Sequence, residues 1–236
     1  MNTKMNIMNQ AGLRNCGARW AQLACLAAFL CCSTGCQLPY FLMSDKKEKH
    51  PAECNAISNQ KVAVLVWAEQ ATLDADALAR VRVGKTVTYY LKKNLTEATF
   101  VDPVTIARMQ DRGQIDWEAM SNAELCKELK CDMLVRIDLL EYTTRALSAR
   151  ELRKGRVRGS VNLYSADATT GGDAIYRSEV VATYPPSSTQ GLLDQSDEDI
   201  LRETVDEFGL AVARKFHAYE TDFTETGRRK ERRDDK

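Results

Sequence analysis

Catalysis and metal binding need side chains that this sequence supplies sparingly. It has two histidines, His50 and His217. Neither stands at a spacing that would build a triad or a metal site, and His217 reads as a cation near a helix C-terminus, where the dipole favours it. There are eight cysteines, but Cys16, Cys25, Cys31, Cys32 and Cys36 fall in the first 36 residues, and only Cys54, Cys126 and Cys131 follow. Cys126 and Cys131 form a CxxxxC pair, which is not a zinc spacing and has no second paired motif. They read as small core residues or, in an oxidising compartment, as disulfide partners, with Cys54 as another candidate. Three such cysteines leave at least one unpaired or paired between chains. Gly84-Lys85-Thr86 is similar to the end of a phosphate-binding loop, but position 79 is Ala where that motif needs glycine. It also lies inside a helical pattern, so it reads as a packing glycine beside an exposed lysine. Asp132 and Asp138 are the available pair of carboxylates. Their context assigns Asp132 to a turn and Asp138 to an ion pair with Arg136 or Arg158 on an exposed sheet face. The expectation is no catalytic residue, no metal ligand and no cofactor, hence a binding protein and not an enzyme.

Composition supports a folded domain and limits its partners. Hydrophobic residues make up 44% and charged residues 28%, enough apolar content for a real core. Lys plus Arg and Asp plus Glu are each 33, so the chain lacks the basic excess of a nucleic-acid binder. The balance hides an asymmetry. Lys4, Arg14 and Arg19 stand in residues 1–36 without an acid, so that segment carries +3 and residues 37–236 carry −3.

That first segment has the order of an export signal. Arg14 and Arg19 precede an apolar run over residues 21–32, and Ser33-Thr34-Gly35 places small residues before Cys36. The last four of these residues resemble the signal of bacterial lipoproteins. There the cysteine thiol is alkylated by diacylglycerol, and the cysteine becomes the acylated mature N-terminus. The resemblance implies cleavage between Gly35 and Cys36 and lipidation of Cys36, with Ser33 standing where an aliphatic residue is usual. Ordinary signal cleavage, giving a soluble exported protein, and an uncleaved anchor remain alternatives. No charge interrupts residues 20–43, which are long enough to span a bilayer. All three outcomes put the rest of the chain outside the cytoplasm. In the enteric sorting pattern an aspartate after the lipidated cysteine retains a lipoprotein at the inner membrane. Gln37 therefore implies the periplasmic side of the outer membrane. Residues 36–60, with mixed charge over 45–49 and Pro51, read as a flexible tether.

The elements beyond the tether read β-α-β-α-α-β-β-β-α, an α/β domain with a mixed sheet of about five strands and helices packed on it. Residues 61–68 are a continuous apolar run, as in a strand buried on both faces. A polar loop follows to Asp76, then a helix over 78–97 with Gly84, Val87, Leu91 and Leu95 on one stripe. Residues 99–102 are a short strand. Asp102-Pro103 starts a helix that stops at Gly113. Ser121 and Glu124 form a capping box that opens another, to about Lys130. Residues 132–143 and 156–168 alternate as strands, and 174–184 returns antiparallel after a turn at 169–173. A last helix over 200–219 carries Leu201, Val205, Phe208, Val212 and Phe216 on one stripe. Residues 220–236 are densely charged and read as a frayed tail.

This pattern resembles a family of bacterial envelope proteins that includes the curli exporter CsgG, the penicillin-binding-protein activator LpoB and the N-terminal domain of TolB. The residues that carry the resemblance are the apolar strand 62–66, Phe100-Val101-Asp102, the junction from Ala123 through Leu125 to Asp132-Met133, Asp167-Ala168-Thr169-Thr170-Gly171 at a turn, and the terminal helix. Lys130-Cys131 replaces the glycine-alanine pair usual before the junction aspartate. The resemblance covers residues 61–219 and implies a non-enzymatic domain that contacts another envelope protein. It also implies a possible homo-oligomer, since the curli exporter forms rings. A pore is not expected. The connections at 143–155 and 185–196 are charged or proline-rich, and transmembrane hairpins need strands of about 9–11 residues. The remaining partners expected are membrane lipid, through the anchor at Cys36, and anionic surfaces, through Arg228, Arg229, Lys230, Arg232 and Arg233 of the tail.

Overall fold

The structure, a computed structural model, describes residues 48–112, 116–146, 149–167, 172–185 and 196–221. Gly35, Cys36, Gly113, the basic tail and the first three residues of the turn expected over 169–173 lie outside the described residues. The compact unit runs from Lys49 to Glu220.

The described strands are β1 (Glu48–His50), β2 (Lys61–Ala68), β3 (Thr99–Phe100), β4 (Met133–Ala146), β5 (Ala149–Ser165), β6 (Tyr176–Tyr184) and β7 (Tyr219–Thr221). The helices are α1 (Gln70–Ala75), α2 (Ala79–Asn94), α3 (Pro103–Asp111), α4 (Asn122–Leu129) and α5 (Asp197–Ala213). Their starts follow from side-chain caps. Asp102 accepts the Val104 N–H at 3.2 Å, and Pro103 opens α3. Ser121 and Glu124 complete the capping box of α4, and Ser196 accepts the Asp199 N–H at 3.1 Å for α5. Three acids in the first turn of α5 suit its positive end. Each cap contributes about 1 kcal/mol.

Five strands form one sheet in the order β3-β2-β4-β5-β6, and β1 pairs with β7 in a separate ribbon. β2 lies parallel to both β3 and β4, while β4, β5 and β6 run antiparallel. The mixed sheet read from the sequence is therefore the sheet observed. The parallel pairs explain the unbroken apolar run of β2. It is central to the layer stack, with Val62, Val64 and Val66 facing one core and Ala63 and Leu65 the other.

The first core lies under α2 and α5. Val83, Val87 and Leu91 from α2 meet Leu201, Val205, Phe208 and Val212 from α5 above Val135, Ile137, Val161 and Leu163. The two helices cross closely at Gly209, where a Cβ would come 2.6 Å from Thr86 Cγ2. Gly84 rests on Val66, so Gly84-Lys85-Thr86 is helix packing, as its context implied. The second core is smaller. Ile106, Met109, Trp117, Leu125, Cys126, Leu129 and Cys131 cover Ala63, Leu65 and Leu134, with Trp67 and Tyr164 packed at its edge. Burying each large side chain contributes roughly 1.5–3 kcal/mol relative to exposure.

Four readings are corrected. Residues 48–60 are not a free tether. Ile57 is fully buried, and the Glu53 and Cys54 N–H groups both donate to the Lys215 carbonyl at 3.0 Å. The Lys215 ammonium and the Tyr176 hydroxyl hold the Glu53 carboxyl below its ordinary range. Burial, then the bond to Glu53, pushes Tyr176 up to about 12. The expected loop after β2 contains α1. The last helix stops at Ala213, and Tyr219–Thr221 is a strand, so neither the helix nor the tail has the predicted boundary. Finally, residues 143–146 and 149–155 are strand and not connection. The β4–β5 hairpin continues to Ala146↔Ala149, past the last β2 partner at Leu139 and the last β6 partner at Gly155. Beyond those rows it is a two-stranded ribbon, still shorter than the roughly 9–11 residues per strand that a bilayer requires.

Candidate binding surface

α3 packs on β2, and α4 covers the end of β4 and β5 at Leu134 and Tyr164; beyond that end, no described helix lies on the face of β4, β5 and β6 opposite α5. Pleating puts Arg136, Asp138, Asn162, Ser160, Arg158, Arg177 and Glu179 on it, in cross-strand rows such as Arg136↔Asn162↔Arg177 and Asp138↔Ser160↔Glu179. The side chains are joined. Arg136 Nε donates to Asp138 at 3.0 Å, and Arg177 Nε donates to the Asn162 carbonyl oxygen at 3.0 Å. The Asn162 amide donates to Ser160 Oγ at 3.2 Å and to Asp138 at 3.4 Å. Asn162 is 5% exposed, so its three bonds fix it at the centre of the face.

A second row extends toward the ribbon. Arg156 Nε donates to Glu141 at 2.8 Å, and Arg158 lies 3.9 Å from Glu141 and 3.4 Å from Glu179. The register slips between Leu139 and Glu141, and Leu140 at that bulge is 50% exposed. Val181, opposite Arg158, is 44% exposed. Such ion pairs add little stability, at most about 1 kcal/mol each. They do hold four guanidinium groups in place against three carboxylates, with two apolar side chains among them. Fixed Arg with a few exposed apolar residues suits recognition of a polar protein surface carrying carboxylates. β6 is also an outer strand of the sheet, with one edge free of described strand pairing.

Asp138 pairs with Arg136 and not Arg158, one of the two options the pattern left open. Asp132 ties the junction instead of acting chemically. Its carboxylate accepts the Lys61 N–H at 2.9 Å, and its own N–H returns to the Lys61 carbonyl at 2.8 Å. The two histidines come together, which sequence spacing could not show. His50 stacks on Tyr219 at 4.8 Å, and His217 meets the same ring edge-on at 6.2 Å. Cys126 and Cys131 share the second core as free thiols, while Cys54 packs against the first. Among the described residues no group of three His, Cys, Asp or Glu is placed to hold a metal ion. No helix among them is long and apolar enough to cross a membrane. Asn162 is the buried polar residue at the centre of this face that the sequence alone did not single out. The alternation of Arg156, Arg158, Ser160 and Asn162 against Val157 and Val161 was its signal.

No protein-family model matches the chain, and no curated protein is significantly similar to it in sequence. Solved structures similar to it include the PelC dodecamer from Paraburkholderia phytofirmans, at 8% identity and TM-score 0.40, covering 71% of this chain and 98% of that one. The lipoprotein GNA1162 from Neisseria meningitidis aligns at 12% identity and TM-score 0.38, over 55% and 87% of the two chains. The hypothetical protein CT253 from Chlamydia trachomatis aligns at 16% identity and TM-score 0.37, over 66% and 90%. Alignments this distant carry no information about function.

Proposed function

We propose that this chain is a non-enzymatic cell-envelope lipoprotein. It is tethered through Cys36 to the periplasmic side of the outer membrane, and its α/β domain binds another envelope protein through the open face of β4, β5 and β6. The observation behind the binding role is the Arg136–Asp138–Asn162–Arg177 network, a pre-ordered set of donors and acceptors that no described helix covers. A pre-ordered surface spends little side-chain entropy on association. The anchor rests on the ordering of Arg14, Arg19, the apolar run and Ser33-Thr34-Gly35 before Cys36. Several acyl chains on that cysteine give stable attachment where one alone is marginal.

Two measurements test the two halves separately. Cys36→Ser should abolish labelling by radioactive palmitate and leave the precursor uncleaved by the lipoprotein peptidase. Unchanged labelling sinks the lipid anchor. For the face, a photo-crosslinking residue at position 140 or 181 should capture a partner in intact cells. Arg158→Glu combined with Arg177→Glu should reduce that capture at least tenfold while leaving the melting temperature nearly unchanged, since both residues are partly exposed. Capture of a second copy of this chain assigns the face to self-assembly. Capture that the charge reversals leave unaltered removes the face from consideration.

A further inference from the structure

We propose that Cys126 and Cys131 are the disulfide pair of this protein and that Cys54 is the odd thiol. The geometry comes from how α4 ends. Lys130 takes a left-handed conformation at φ 51°, the Cys131 N–H donates to the Cys126 carbonyl at 3.0 Å, and the Lys130 N–H donates to the Lys127 carbonyl at 3.2 Å. These are the two bonds of a Schellman stop, which folds the residue after the left-handed position back over the last helical turn. The side chains so brought together normally make an apolar contact. Here they are two cysteines. Cys126 is fully buried and Cys131 is 6% exposed, and both side chains lie in the same small core between α4 and the sheet. The helix stop has thus already made the loop closure that a cross-link between distant residues would have to supply. Cys54 sits with the core under α2 and α5, on the other side of the sheet, and cannot reach them.

The oxidant is a disulfide, either of a thiol oxidase or of a small molecule in the compartment. The thiolate of one cysteine attacks a sulfur of that disulfide, breaks its S–S bond and forms a mixed disulfide as the first oxidant thiol leaves. The thiolate of the other cysteine then attacks the sulfur of its partner. It forms the Cys126–Cys131 bond and expels the second oxidant thiol. Two electrons pass to the oxidant, and its two sulfurs carry away the two protons. Because both thiols are buried in the finished fold, the exchange occurs while the chain is folding. The bond would lock the end of α4 beside Asp132, which anchors the start of β2. Its formation in cells rests on the export reading, since cytosolic thiols are kept reduced.

The test uses the full chain in detergent, reduced and unfolded, then refolded in a mixture of oxidised and reduced glutathione. After acid quench and unfolding, free thiols are blocked with a maleimide and the protein is digested with trypsin. Cleavage after Lys127 and Lys130 separates the two cysteines unless a disulfide holds their peptides together. The expected result is one linked species containing Cys126 and Cys131, unlabelled and parted only by reductant, unchanged in Cys54→Ser. Maleimide on both residues, or a link from either one to Cys54, overturns the pairing. The same digest on protein taken from the cell envelope tests location separately. A link that forms on refolding but is missing in cells defeats the export reading and leaves the pair standing.

Discussion

Replacing Phe208 by alanine should destabilise the domain by about 3–5 kcal/mol, as for other buried aromatic truncations. Phe208 is fully buried on α5 and belongs to the core shared with α2 and the sheet. Its position depends on a strand residue without a side chain. A Cβ at Gly159 would come 3.1 Å from Phe208 Cζ and 3.3 Å from the Asp138 carbonyl. The ring therefore rests directly on β5, and losing it opens a cavity that neighbouring strands cannot close without breaking their ladder. The measurement is urea unfolding of the full chain in detergent, read as a shift of midpoint with little change in slope. A midpoint unchanged within error would mean that α5 is not docked on the sheet as described.

The stripe containing Phe208 was legible because periodicity at three and four residues survives any tertiary context. So were the unbroken run of β2, the alternation of β4 and the caps at Asp102 and Ser121, each a local signal with a local cause. The failures have a common physical origin. Residues 48–60 look like a tether because their charges and Pro51 are local features. What holds them is the bonding of Glu53 and Cys54 to Lys215, more than 150 residues away in the chain. The tip of the β4–β5 hairpin looks like a connection because its sequence is dense in charge and breaks the alternation that marks the rest of both strands. The end of α5 is not legible in the sequence because Phe216 continues the apolar stripe after the helix has stopped, buried within the turn over 214–216. The open face was half legible. Asp138 and its arginine neighbour were identified from alternation, but the central role of Asn162 depends on β6 lying beside β5 and supplying Arg177.

Gly155→Ala should be the most damaging of the small-to-large substitutions, at about 1–3 kcal/mol or more. Gly155 marks the row where β6 stops pairing with β5, opposite Tyr184, and the hairpin continues as a ribbon. The N-terminal half of α5 crosses the strand there. A Cβ at 155 would overlap the Thr204 hydroxyl, lie 2.9 Å from Thr204 Cβ and 3.0 Å from Ile200 Cγ2. Thr204 cannot yield cheaply. It is fully buried, its χ1 is stiffened by branching, and its hydroxyl donates to the Ile200 carbonyl at 2.6 Å. Either α5 lifts from the sheet or β5 bends away, and both disturb the core around Val157 and Val205. The decisive experiment is a double-mutant cycle. Thr204→Ala removes the colliding hydroxyl, so Gly155→Ala should cost less in that background, with a coupling of about 0.5–3 kcal/mol. Strict additivity of the two substitutions in urea unfolding would show that α5 does not lie on Gly155.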